Sequence, residues 1–178
     1  MKTSSPSTTH KPLSAPNRAK RAPQPEPPGF ATPAPAVRGK RILLADDDAG
    51  VRGSLSAVLV SEDYVVIPAN DGQQALELAA SAPIDLVLLD LNMPRKNGWD
   101  TFERLTVEHP LLPIIIVTAR PNQLFTAVGA GAGALLEKPL DIPTLLRTIR
   151  WLLAESAETR LARLAGRETD FHYRAART

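Results

Sequence analysis

Short apolar runs that stop on a polar residue punctuate this chain, and the segments between them carry apolar residues at helical spacing. Leu86 to Leu89 stops at Asp90, and Arg41-Ile-Leu-Leu-Ala45 stops at Asp46, Asp47 and Asp48. Pro113-Ile-Ile-Ile-Val117 stops at Thr118, and Ala134-Leu-Leu-Glu137 stops at Lys138-Pro139. Continuous apolar runs of this length suit strands buried on both faces, as in a parallel sheet. Tyr64-Val-Val-Ile67, β-branched and aromatic, adds a further strand. Val51, Leu55, Val58 and Leu59 form one helical face; Ala75, Leu78 and Ala79 form another. Trp99, Phe102 and Leu105 follow Gly98, a short helix is placed over 122–128, and Ile142 to Leu153 keeps the helical period. Strands alternating with helices imply a parallel sheet with right-handed crossovers, here five of each, in one domain at 39–156.

The flanks differ in kind. Residues 1–38 are rich in Pro, Ser, Thr and Ala, with almost no large apolar side chain. Such a segment buries too little surface to offset its ordering entropy, and it is expected to be a disordered basic arm. The net charge of +2 conceals an acidic middle between two basic ends. The high pI therefore says little about a nucleic-acid fold, and nucleic-acid contact is expected only through the basic tails. Residues 157–178 place Arg160, Arg163 and Arg167 at helical spacing; the segment is read as a partly helical tail, extending the last helix as far as Gly166. With no cysteine, no long apolar run and no signal-peptide core, the expected location is cytoplasmic, with no membrane partner.

In a parallel sheet the carboxyl ends of the strands share one edge, where open α/β sheets place their ligands. Asp46, Asp47, Asp90, Thr118 and Lys138 then converge there. Clustered carboxylates push one another's pKa upward unless a cation relieves them. Mg²⁺, which prefers one or two carboxylates with waters and phosphate, fits that role, and a lysine suits a phosphoryl oxygen.

The motifs Leu-Leu-Ala-Asp46-Asp47-Asp48, Leu-Leu-Asp90-Leu-Asn-Met-Pro94 with Gly98, Ile-Ile-Val-Thr118-Ala119 and Glu-Lys138-Pro139 together resemble a response-regulator receiver domain over roughly residues 40–155. The resemblance implies a flavodoxin-like sheet of order 2-1-3-4-5, the order the chemotaxis regulators of this family illustrate. It implies that Asp90 is the phosphoacceptor, attacking the phosphohistidine of a histidine kinase or phosphotransfer protein. Asp47 and Asp90 would ligate Mg²⁺ together with the backbone carbonyl of Asn92, and Asp46 would act through a water. Thr118 would hydrogen-bond a phosphoryl oxygen, Lys138 would pair with the acyl phosphate, and the Lys138–Pro139 bond would be cis. The chain is then a stand-alone signalling domain, not an enzyme, acting through contacts with a downstream protein. Where the family has an aromatic three residues before the lysine, this chain has Leu135, and Gly129-Ala-Gly-Ala-Gly133 follows a short fourth helix. Switching is expected to draw on that permissive stretch.

Other readings compete. An adaptor of the same fold, recognised whatever its phosphorylation state, is the alternative. A small aspartyl-phosphate phosphatase needs an acid two residues past the nucleophile, where Asn92 stands. Gly129 to Ala134 formally matches a dinucleotide-binding fingerprint, but it precedes a strand instead of leaving one. Taken singly, Asp46 to Asp48 suit a helix cap or turn, Lys138 a surface charge, and Trp99 and Trp151 helix packing. His10, His109 and His172 form no ligand cluster.

Overall fold

The computed structural model describes residues 39–93, 98–120, 122–167 and 171–175. The expected disordered arm at 1–38 and the Met-Pro turn at Pro94 lie outside the described residues.

Apolar runs become strands where anticipated: β1 (Arg41–Ala45), β2 (Val65–Ala69), β3 (Leu86–Asp90), β4 (Ile114–Thr118) and β5 (Ala134–Glu137). Between them run α1 (Ala49–Ser61), α2 (Gly72–Ser81), α3 (Gly98–Glu108) and α4 (Leu124–Gly129); α5 (Ile142–Ala154) follows β5. All strand pairs are parallel. β3 and β4 are buried at every position, whereas β2 lies at an edge and tolerates Pro68 there.

Side chains alternate across this sheet and build two cores. Leu43, Val87, Leu89, Ile116 and Leu135 pack on one face with α2, α3 and α4 residues such as Leu76, Phe102 and Ala127. Ile42, Leu44, Leu88, Ile115 and Leu136 pack on the other with Leu55 and Leu59 of α1 and Leu145 and Ile149 of α5. Carried to the end of β3 and one step past β1 and β5, the same alternation puts Asp90, Asp46 and Lys138 on the α1/α5 side. Thr118 and Glu137 fall on the α2–α4 side.

The expectation of five strands and five helices is short by one of each. The last helix does not run on to Gly166: Glu155 and Ser156 take extended backbone, and Ser156 accepts from the Thr159 amide as the N-cap of a separate helix, α6 (Ala157–Leu164). Beyond it, β6 (His172–Arg174) adds to β5 in parallel, giving the order β2-β1-β3-β4-β5-β6. A three-residue strand has no period long enough to read, which is why the sequence did not announce it.

Candidate functional site

Three of the four strand-end positions close on one another at the carboxyl edge. Lys138 Nζ donates to Asp46 Oδ2 at 2.8 Å and to Asp90 Oδ2 at 2.7 Å. The two acids lie on neighbouring strands, and Lys138 reaches them from β5 on the same side of the sheet. Each acid's second oxygen is held by its own chain: Asp46 Oδ1 accepts from the Asp48 amide at 2.9 Å, and Asp90 Oδ1 from the Asn92 amide at 2.9 Å. These local turns fix both carboxylates without a second side chain. Asp46 and Asp90 are buried, while Asp47 is exposed.

Burial opposes the charged form of Lys138, but the hydrogen bonds and charges of Asp46 and Asp90 outweigh it and raise its pKa above the ordinary lysine value. Ligand oxygens of Asp46, Asp47 and Asp90 lie within 4.8 Å of one another. Three carboxylates against one ammonium leave a net charge of −2. That surplus, with hard oxygen donors, fits one divalent cation of the Mg²⁺ type. Asn92 Oδ1, two residues past Asp90, is buried and has no hydrogen-bond partner among the described residues.

Asp48 takes the bland role. It N-caps α1, its carboxylate accepting from the Gly50 and Val51 amides, and those bonds, the Val51 one foremost, lower its pKa. Thr118 is fully buried at the end of β4, one residue past Val117, the register partner of Asp90. Its hydroxyl oxygen accepts from the Arg120 amide at 2.9 Å, so Thr118 borders the cluster without bonding to it. The Lys138 amide donates to the Thr118 carbonyl at 2.8 Å, which ties the two strand ends together. The Lys138–Pro139 peptide bond is cis, as anticipated.

Two contributors escaped the sequence reading or were undervalued by it. Arg52, on the first turn of α1, donates from Nη1 to the Asp46 carbonyl at 2.7 Å and pins the loop that carries the acids. Gly98 does more than open a helix, because a Cβ there would stand 2.5 Å from Leu91 Cα and 2.8 Å from the Asp90 carbonyl oxygen. Any other residue would push on the backbone that delivers Asp90.

The Gly/Ala stretch after α4 is also more committed than its composition suggests. Gly131 takes the left-handed conformation, φ +77°, and its site would bring a Cβ to 2.8 Å from Leu164 Cδ2 of α6. Gly133 likewise would bring a Cβ to 2.8 Å from Leu152 Cδ2, so both glycines admit a neighbouring leucine.

Comparison with known proteins is consistent with this geometry. The family model described as the response regulator receiver domain matches residues 42–150. The chain is 42% identical over 118 residues to the transcriptional regulatory protein CpxR of Escherichia coli strain K12, covering 65% of this chain and 50% of that protein. It is 36% identical over 133 residues to the transcriptional regulatory protein PdtaR of Mycobacterium tuberculosis, covering 73% and 64%. The chain thus spans about half the length of CpxR and under two thirds of PdtaR. Among solved structures, a CheY-like receiver domain from Methanospirillum hungatei JF-1 superposes with a TM-score of 0.62 at 29% identity, covering 65% of this chain and 94% of that one. The Vibrio cholerae chemotaxis protein CheY4 gives 0.60 at 29% identity, covering 64% and 98%.

Proposed function

Because the chain belongs to the family of response regulator receiver domains, the signalling domains of two-component systems, we propose that it accepts a phosphoryl group on Asp90. The donor is a histidine kinase or phosphotransfer protein, and the output is a change in contacts with a downstream protein. The observation that supports this best is Lys138 bridging two buried carboxylates beside a third, exposed one. Such an arrangement costs stability through repulsion and desolvation unless an incoming cation and anion complete it.

An oxygen of Asp90 attacks the phosphorus in line as the bond to the donor's imidazole nitrogen breaks, and that nitrogen leaves with the electron pair. Asp90 is oriented beforehand by the Asn92 amide, so the attack needs little reorganisation. Lys138 exchanges its Asp90 oxygen for a phosphoryl oxygen while keeping Asp46 within reach. The Thr118 hydroxyl, whose oxygen accepts from the Arg120 amide, turns to donate its own proton to a second one. Arg52 keeps the Asp46 loop in place throughout. Asp47, Asp90 and the Asn92 carbonyl would hold Mg²⁺, with Asp46 acting through a water; a hard divalent cation there would neutralise charge on the phosphoryl oxygens. Phosphorylation takes Asp90 from −1 to about −2, and Thr118 and Lys138 are placed to read the difference.

Incubation with acetyl phosphate and Mg²⁺, followed by intact mass measurement, tests the reading. We expect a gain of one phosphoryl group, lost in Asp90→Asn and lost when the metal is chelated. An unchanged mass for the parent chain would instead favour a receiver-fold adaptor that works without phosphorylation. The names of CpxR and PdtaR make those proteins transcriptional regulators. DNA binding by this chain is a separate question, which a salt-dependent binding assay answers.

A further inference from the structure

We infer that the C-terminal segment is a strap on β5 whose docking is set by the chemical state of Asp90, through a Tyr173–Glu137 hydrogen bond; the inference rests on Asp90 being the phosphoacceptor. β6 covers the outer edge of β5 with the register Ala134–His172, Leu135–Tyr173 and Leu136–Arg174. Tyr173 Oη donates to Glu137 Oε1 at 2.9 Å. Glu137 is the register partner of Thr118 and immediately precedes Lys138. The strap is therefore bonded to the residue that precedes Lys138 and is in register with Thr118.

The strap has a firm root and a loose tip. At the root, Arg163 is buried against Glu155, its guanidinium lies 6.0 Å from the Trp151 ring centroid, and Leu164 seats on Gly131. At the tip, Trp151 and His172 stack at 4.0 Å, but β6 is three residues long and Tyr173 is 42% exposed. A short, half-wet edge strand sits at the low end of local stability, so a small bias moves its equilibrium.

The bias has a direction. The Tyr173–Glu137 bond is satisfied with Lys138 drawn between Asp46 and Asp90. When Lys138 follows a phosphoryl oxygen and Thr118, the register partner of Glu137 on β4, turns toward another, the end of β5 at Glu137 shifts, and the bond lengthens. Tyr173 then lets go and the tip undocks, exposing the backbone edge of β5. By linkage, weakening the tip favours the phosphorylated state by the same factor.

Amide exchange of the full chain in Mg²⁺, with and without beryllofluoride as the phosphoryl mimic, tests this. Amides of 171–175 are expected to exchange about fivefold faster or more with the mimic bound, while those of α6 hold. Binding of the mimic is followed independently by the fluorine NMR signal of the bound species. No bound signal sinks both the phosphoacceptor reading and the strap. A bound signal with unchanged exchange at 171–175 overturns the strap alone. Tyr173→Phe, which keeps the ring and loses the hydroxyl, is expected to give fast tip exchange in both states and to tighten mimic binding. A Tyr173→Phe chain that responds like the parent would also overturn it.

Discussion

Two clusters of buried charge sit at opposite edges of the sheet, and they are balanced in opposite ways. At the carboxyl edge, Asp46 and Asp90 share one lysine and Asp47 faces solvent, so negative charge is left over. At the amino edge, Glu155 meets both Arg163 and Arg160, so positive charge is left over. There the excess is absorbed by fixed groups: Arg160 donates to the Leu152 carbonyl at the C-terminal end of α5, and Arg163 lies near the Trp151 ring. Desolvation lowers the pKa of both arginines, yet each has a permanent partner. The excess at the carboxyl edge has no such fixed partner among the described residues. The amino-edge cluster is balanced by its own neighbours, and the carboxyl-edge cluster groups three carboxylates that could hold a metal ion.

The largest effect that tests this contrast lies at the amino edge. Arg163→Met strips a buried carboxylate of its nearest cation and is expected to cost about 3 kcal/mol in urea unfolding at neutral pH. Combining it with Glu155→Leu should return part of that loss, because the Arg163–Glu155 pair is exchanged for apolar groups while Arg160 loses its carboxylate and keeps the Leu152 carbonyl. If the double variant is no better than the single one, the Glu155 cluster is not self-contained and the contrast fails.

Lys138→Ala should cost less, about 2 kcal/mol, since it leaves two hydrogen-bonded carboxylates without their cation. Millimolar Mg²⁺ should then raise the unfolding midpoint of the variant more than that of the parent, because the metal no longer competes with an ammonium. Mg²⁺ should leave the Arg163→Met deficit untouched. Equal Mg²⁺ responses in Lys138→Ala and the parent would count against a cation site among Asp46, Asp47 and Asp90.

Asp85, beside the amino-edge cluster, gives the smallest effect. Burial works against its charged form, but the Arg41 amide and Lys40 outweigh it and lower its pKa. A carboxyl whose folded pKa lies below its unfolded one contributes stability above the ordinary value, and that contribution disappears as pH falls through the folded value. Asp85→Asn should therefore lose under about 1 kcal/mol at neutral pH, and nothing once both carboxyl forms are protonated. A neutral-pH loss that persists unchanged in acid would point to packing instead of charge.

How much of this was legible in the chain can be judged residue by residue. Leu86 to Asp90 declared a buried strand and the acid that ends it together, because a continuous apolar run of this length suits a strand covered on both faces. Asp141 and Pro143 announced the start of α5, where Asp141 accepts from the Thr144 amide. Arg52 was not legible as a site residue: its role depends on a carbonyl six positions away, brought near by a turn. β6 was not legible either, since three residues are too few to show a period and their partner strand lies far back in the chain.

The sequence by itself determined the kinds of element, their order and the residues that end each strand, because periodicity, β-branching and caps act over a few neighbours. Only the tertiary structure decided which of three consecutive aspartates is bridged, which caps a helix and which meets solvent. It also decided that Lys138, 92 positions from Asp46, bonds that acid and Asp90 alike, and that a tyrosine from the last strand touches the residue beside that lysine. Such placements depend on register and on the alternation of side chains across neighbouring strands, which exist only once the strands have paired.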